Sequence, residues 1–356
     1  MQYEYDLLTF IGRMGPPHIG HIETIRTALE QAERVLILLG SSGEPRTPKN
    51  PFTHEERRTL LRLALDDPDM WERIVVKPLY DCTYNNDAWK IQVQKAVEST
   101  LDVDYVPKIG LIGHSKDESS WYLKAFPQWK AVEMPLVTFP ENPEFAEMLS
   151  ATQIRDRFFE DGTVSDILNP RVQMWLEGFK LSPDYLYVQH EFNFIKSFKE
   201  SWANSPYPPT FNTTDAVVTQ SGHILLIQRG GYPQKGTWAL PGGYLDQNET
   251  MLNGMIRELV EETKIKVPAK ILEKNVIARR TFDDPTRSAR GRVITEAFHI
   301  RLDDTLALPR VKGSDDAAKA KWVPISEVLY MRDVFFEDHF HLICVMLGLS
   351  PTLDNI

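Results

Sequence analysis

"GRMGPPHIGH", Gly12 to His21, follows the apolar run Leu7–Ile11 and precedes a stretch with helical spacing. A short apolar strand that opens into a Pro/Gly loop and then a helix is the start of a βαβ unit. In an open parallel sheet such a loop lies beyond the carboxyl end of its strand, where ligands bind. The helix starting near Gly20 offers unpaired backbone N–H groups and a partial positive charge, which suit phosphate. Gly20 has no Cβ and lets a ligand approach the backbone. His18 and His21 can donate to phosphate oxygens, and Arg13 adds a permanent charge. Taken alone, two histidines at a helix start are equally read as caps or packing side chains.

Outward from this loop, the first half alternates strand-like and helix-like segments. Leu7–Ile11, Val35–Leu39, Ile74–Leu79 and Lys108–Ile112 are expected strands. Ile22–Ala32, Glu55–Leu65 and Asp87–Ser99 are expected helices, with Thr53 and Glu56 spaced as a capping box. The fold class is therefore α/β, with a doubly wound parallel sheet in residues 1–183. From Pro183 the pattern changes. Residues 184–205 read as an aromatic-rich helical linker, and SPYPPTF (Ser205–Phe211) cannot continue a helix. Residues 206–356 form a second, mixed domain, with strands expected at Asp215–Thr219, Ile224–Gln228, Lys274–Arg280 and Arg292–Arg301.

The 356 residues carry 42% hydrophobic and 25% charged side chains and a net charge of −10, an ordinary globular balance that disfavours a nucleic-acid binder. Anionic small molecules remain acceptable if basic residues or metal ions gather locally. Two cysteines, Cys82 and Cys344, without metal-type spacing fit a reducing compartment. With no signal-like N-terminus and no apolar run of membrane length, a cytoplasmic protein without membrane partner is expected. A homo-oligomer is left open.

"HIGH" after a first strand resembles the H-x-G-H signature of the nucleotidyltransferase superfamily, and the wider stretch is similar to archaeal-type nicotinamide mononucleotide (NMN) adenylyltransferases. "NPFTHEER" (Asn50–Arg57), "YDCTYNNDAW" (Tyr80–Trp89) and "SATQIR" (Ser150–Arg155) fit the same family in the same order. The resemblance implies a Rossmann-like fold and the reaction NMN + ATP → NAD + pyrophosphate. It implies ATP contacts from Gly12, Arg13, His18, Gly20, His21, Ser150, Thr152 and Arg155, with His18, His21 and Arg155 catalytic. Asp81, Tyr84, Asn85 and Trp89 are the expected NMN contacts. Two departures stand out. Met14 replaces a frequent aromatic, and "GHSKDESSWYL" (Gly113–Leu123) differs on the adenine side, where Lys116 and Asp117 are candidates.

The second informative stretch is "GGYLDQNETMLNGMIRELVEETKI", Gly242–Ile265. Glu258, Glu261 and Glu262 share one helix face and repel one another, with Arg257 able to pair with Glu261 at i+4. A solvated charged helix is one reading. A hard divalent cation held by carboxylate oxygens is the other. Gly243, Glu249 and Arg257-Glu258-Leu259-Val260-Glu261-Glu262, preceded by "GTWALPGG", resemble the Nudix box. That implies an α/β/α sandwich which hydrolyses a nucleoside diphosphate linked to another group. It also implies Mg²⁺ or Mn²⁺ on Gly243, Glu258, Glu261 and Glu262, with Glu261 and Glu262 catalytic and Glu249 supporting the loop or a second ion. The pattern breaks at Lys264, where the box has Gly. "FDDPTRSARGRVITEAF" (Phe282–Phe298) resembles a segment of ADP-ribose-cleaving Nudix proteins and of regulators that sense ADP-ribose, with Arg287, Arg290 and Arg292 as candidate contacts. The whole chain resembles fused NMN adenylyltransferase/Nudix proteins with ATP, NMN and ADP-ribose as partners. The rival is a Nudix domain that binds ADP-ribose without cleaving it, or that cleaves another derivative. A DNA-binding regulator is weaker, because no basic helix-turn-helix is evident.

Overall fold

The computed structural model describes residues 3–101, 104–114, 118–135 and 150–351. Its contacts divide the chain into two compact units, 1–189 and 190–356. Lys116 and Asp117 lie outside the described residues.

In the first unit five strands pair, all parallel, in the order β3-β2-β1-β4-β5. They are β1 (Tyr5–Gly12), β2 (Ala32–Leu39), β3 (Ile74–Pro78), β4 (Ile109–His114) and β5 (Lys130–Met134). Leu7, Leu8, Val35 to Leu39, Leu111 and Ile112 are fully buried, as expected of strands covered on both faces. β5 was not legible as a strand: KAVEM has no apolar run and is largely exposed at the sheet edge. The helices are α1 (Ile19–Gln31), α2 (His54–Leu65), α3 (Pro68–Glu72), α4 (Asn86–Glu98), α5 (Ala151–Glu160), α6 (Pro170–Phe179) and α7 (Pro183–Ser201). α1 buries Ile22, Ile25, Ala28 and Leu29 along one stripe. The capping box at α2 is formed: Glu56 N–H donates to Thr53 Oγ1 at 3.2 Å, and Thr53 N–H donates to the Glu56 carboxylate at 2.8 Å. The strand order reverses between β1 and β4, so the loop after β1 sits at the topological switch point.

The second unit holds β6 (Thr210–Gln220), β7 (His223–Arg229), β8 (Trp238–Ala239), β9 (Gly242–Tyr244), β10 (Val276–Phe282), β11 (Arg292–Arg301) and β12 (Ala317–Pro324). Five of them run β10-β11-β6-β7-β12, with β8 on β7 and β9 on β6. Only the β6–β11 pair is parallel. Ser221 and Gly222 both have positive φ, 47° and 72°, which makes the tight turn that joins β6 to β7. The helices are α8 (Met251–Thr263), α9 (Ala269–Lys274), α10 (Ile325–Val328) and α11 (His339–Leu347). Met255 and Leu259 of α8 pack on Ala216, Val218, Leu225, Phe298 and Ile300 of the sheet. Among the described residues no helix is long and apolar enough to cross a membrane.

The division between the units falls inside α7, upstream of the proline stretch. The reason is the helix's own side chains. Phe194 packs at 6.1 Å from Tyr232, and Phe198 at 5.5 Å from Phe211. One turn before Phe194 sits Glu191, fully buried. Its Oε1 accepts the backbone N–H of Gln234, while Oε2 has no hydrogen-bond partner among the described residues. Burial pushes this carboxyl up from 4.5 to about 7. A group that holds its proton more tightly when folded contributes stability below about pH 4.5 and loses it as pH rises through about 7. Wild-type protein should therefore melt several degrees lower at pH 8.5 than at pH 5.5, and Glu191→Gln should reduce that difference, leaving the share that comes from Glu262 and Asp215. Parallel melting-versus-pH curves for the two proteins would show that Glu191 ionises without penalty.

Two candidate active sites

The first site is a cavity of about 680 Å³ at the carboxyl ends of β1, β2 and β4. Gly12, Arg13, His18 and His21 line it, as do Ser150, Thr152 and Arg155 from the start of α5. Gly20 lies in the first turn of α1, outside the lining. Its carbonyl accepts the Thr24 hydroxyl at 2.8 Å, which braces the turn. The two histidine rings lie 3.8 Å apart. The backbone N–H of His18 donates to His21 Nδ1 at 3.2 Å, so the neutral His21 ring carries its proton on Nε2 and acts as a donor there.

Arg155 is buried and its fork holds three segments together. It donates to Gly15 O at 2.9 Å, Pro48 O at 3.1 Å and Thr152 Oγ1 at 3.1 Å. Burial, with the nearby charge of Arg13, lowers its pKa to about 10. Among the described residues it has no ion-pair partner, so its charge is left for a ligand. Sequence reasoning missed Lys49 and His114, which also line the cavity. Lys49 stands beside the matched "NPFTHEER" stretch, and that proximity was the available signal.

Of the four expected NMN contacts, Asp81 and Trp89 line the cavity, while Tyr84 and Asn85 do not. Asn85 instead caps α4, its side chain accepting Ala88 N–H at 3.0 Å. Tyr84 occupies the turn before it with φ 71°. Trp121 completes an aromatic wall, 5.0 Å from Trp89.

The second site is built by the Gly242–Gly243 backbone lying across the acidic face of α8. Gly242 N–H donates to Glu262 Oε2 at 2.8 Å. A Cβ on Gly243 would stand 2.5 Å from Glu258 Oε1, so a side chain there would push the Glu258 carboxylate aside. Desolvation raises the pKa of both acids, Glu262 to about 8. Arg257 spans the box: it donates to Glu249 at 2.7 and 3.1 Å, Glu258 at 2.9 Å, Glu261 at 3.1 Å and Tyr244 O at 3.1 Å. Glu249 is also bonded to the loop, accepting Asp246 N–H at 2.9 Å.

The donor set is hard oxygen and two of its acids are penalised by burial, which fits a divalent cation. Among the described residues no three acid, histidine or cysteine side chains already converge as ligands, and Arg257 holds oxygens of Glu258 and Glu261.

The three arginines expected to meet ADP-ribose are engaged differently. Arg287 is a correction: its guanidinium forms a buried bidentate pair with Asp338 at 2.8 and 2.9 Å, and reaching a ligand would strand that acid. Arg292 clamps its own loop through the Asp283 carbonyl. Arg290 lies 5.6 Å from the ring centroids of both Tyr244 and Phe336 and is held by Glu337. Sequence reasoning did not single out Tyr244, although it directly follows Gly243 and its ring is 40% exposed.

Residues 9–157 match the cytidylyltransferase-like family and residues 209–344 the NUDIX domain. The nicotinamide/nicotinic acid mononucleotide adenylyltransferase of Acinetobacter baylyi is 35% identical over 190 residues, 53% of this chain and 95% of that protein. A bifunctional NMN adenylyltransferase/ADP ribose pyrophosphatase from Francisella tularensis, crystallised with AMP and a manganese ion, superposes with TM-score 0.87. It is 31% identical, with 97% of this chain and 99% of that one covered. The ADPR responsive transcriptional repressor NtrR of A. baylyi is 30% identical over 154 residues, 42% of this chain and 58% of that protein. Fold and sites together define a nucleotidyltransferase domain joined to a Nudix domain. The chain belongs to the family of bifunctional NMN adenylyltransferase/Nudix proteins.

Lys264 closes α8 with φ 48° and ψ 30°, and its N–H donates to Val260 O at 2.9 Å. The loop keeps the left-handed geometry that glycine serves, and the lysine bears the strain. Lys264→Gly should raise stability by about 1 kcal/mol in chemical denaturation. No gain, or a loss, would mean that the lysine side chain supplies a compensating interaction.

Proposed function

We propose that the first unit joins NMN to ATP, forming NAD and pyrophosphate, and that the second hydrolyses ADP-ribose to AMP and ribose 5-phosphate. The observation that carries the first activity is the meeting of His18, His21, Arg13, Lys49 and Arg155 around one cavity in a chain of net charge −10. An oxygen of the NMN 5′-phosphate attacks the α-phosphorus of ATP, and the bond to the bridging oxygen breaks. Negative charge then grows on the departing pyrophosphate. Only positioning and charge stabilisation are required of the protein. His21 Nε2–H and the α1 N-terminus bind phosphate oxygens, and Arg155 and Arg13 neutralise the leaving group. Trp89 and Trp121 offer ring faces to the cationic nicotinamide, and Asp81 an acceptor to its amide or ribose.

In the second unit Glu258, Glu261 and Glu262, with the Gly243 backbone, are the residues to hold Mg²⁺ or Mn²⁺. When bound, the ion activates water and neutralises the diphosphate. Arg290, between Tyr244 and Phe336, is the side chain to meet the substrate. A cytoplasmic setting accords with Cys82 and Cys344, both buried and neither in a disulfide. The non-cleaving sensor has less support, because every carboxylate of the box is in place and the turn at Lys264 retains its shape.

The two activities should separate. His21→Ala should cut NAD formation by about 10² or more and spare ADP-ribose hydrolysis, and Glu262→Gln should do the reverse. One substitution abolishing both activities in folded protein would sink the two-site reading.

The hydrolase should also prefer ADP-ribose to NAD, since a chain that makes NAD and cleaves it would only consume ATP. The two substrates differ at the sugar carbon, a hydroxyl in one and the nicotinamide ring in the other. A site built to bond the hydroxyl excludes the ring. The measurement is kcat/KM for both at equal Mn²⁺. Equal values contradict the preference, and tight ADP-ribose binding without turnover of either substrate selects the sensor.

A further inference from the structure

Arg57 is the largest fully buried side chain of the described protein, 1% exposed. It rises from α2 behind the phosphate loop and does not line the cavity. Its Nη1 donates to Arg13 O at 2.9 Å and Gly40 O at 2.6 Å, and its Nη2 to Ser42 Oγ at 3.3 Å. One guanidinium thus joins the loop after β1 to the loop after β2. Gly15 packs on its stem, where an added Cβ would stand 3.5 Å from Arg57 Cδ. Among the described residues no carboxylate lies within ion-pair distance, and Nε has no partner.

Carbonyl dipoles are a poor offset for a charge buried this deeply, and its removal from water is costly. The structure adds to the difficulty by placing Arg13 close by, with Asp81 the acid that opposes both Arg57 and Arg13 from a distance. Hydrogen bonding to two carbonyls could be had from neutral Asn or Gln. A cation is needed only if its field is used. The one place where a strong negative charge enters this neighbourhood is the cavity that Arg13 and Arg155 line.

We propose that Arg57 is a positioning residue for the ATP polyphosphate. It fixes the Arg13 backbone so that the Arg13 guanidinium faces the phosphates, and its unpaired charge is compensated by the bound nucleotide. The proposal rests on the adenylyltransferase reading of this cavity. It goes beyond that reading by assigning a role to a side chain that touches no substrate. The field of a charge this deep acts on whatever carries most charge, so ATP should feel its loss far more than NMN, which bears a single phosphate.

The test measures ATP and NMN affinity by titration calorimetry, and KM for each, in Arg57→Gln and Arg57→Lys. Arg57→Gln should weaken ATP binding and raise its KM by about tenfold or more, with NMN changed less than about twofold. Arg57→Lys, which keeps the charge and loses the fork, should sit between, with ATP about threefold weaker. Equal losses for both substrates together with a lowered melting temperature would be a scaffold effect and would overturn the proposal. Unchanged ATP affinity in folded Arg57→Gln would overturn it too. Where Arg57→Gln does not fold, Arg57→Lys with wild-type ATP affinity overturns it. If wild-type protein binds ATP but makes no NAD, the functional reading fails, and the calorimetry still decides on Arg57.

Discussion

Both halves of this protein depend on an ionisable group held out of water without a bonded counter-ion. In the first unit the group is a cation: Arg57 and Arg155 are buried and bonded to carbonyls and hydroxyls, not acids. In the second it is an acid: Glu262 is buried against a backbone N–H, and desolvation makes it keep its proton up to about pH 8, with Asp215 near it raised to about 6 by the same cause. Such groups destabilise a free fold unless well bonded, and each becomes favourable when the opposite charge arrives. The signs are matched to the visitors, a polyphosphate at one site and a metal ion at the other. The rest of each unit can be read as the frame that keeps these charges dry. In the first unit that frame is the parallel sheet closing behind Leu36 to Leu39, and in the second α8 packed on β6 and β11.

That arrangement explains why an acidic chain can bind acidic ligands. Net charge sets the distant field, which salt screens within about 10 Å. Inside a cavity the nearest side chains decide, and there Arg13, Lys49 and Arg155 outnumber Asp81.

Much of this was legible in the sequence because the decisive elements are local. β1, the loop to His21 and the capping box of Thr53 and Glu56 are encoded within a few residues of each other. So are Glu258, Glu261 and Glu262 on one helix face. The elements that escaped are those whose state is set by distant partners. β5 and β12 carry no apolar run, and become strands because β4 and β7 present free edges. Arg287 looked like a ligand-binding cation because its partner, Asp338, lies 51 residues away in the chain. Tyr84 and Asn85 were placed in the right loop, but the demand for a helix cap took Asn85 first. The strain at Lys264 was legible as a missing glycine, although only the backbone angles show that the turn kept its shape.

Arg257 has a consequence for how the second unit is assembled. Its guanidinium stands among Glu249, Glu258 and Glu261, so these carboxylates are balanced by a charge that the chain itself supplies. A fold whose acidic face brings its own cation has no need to capture one from solution in order to close.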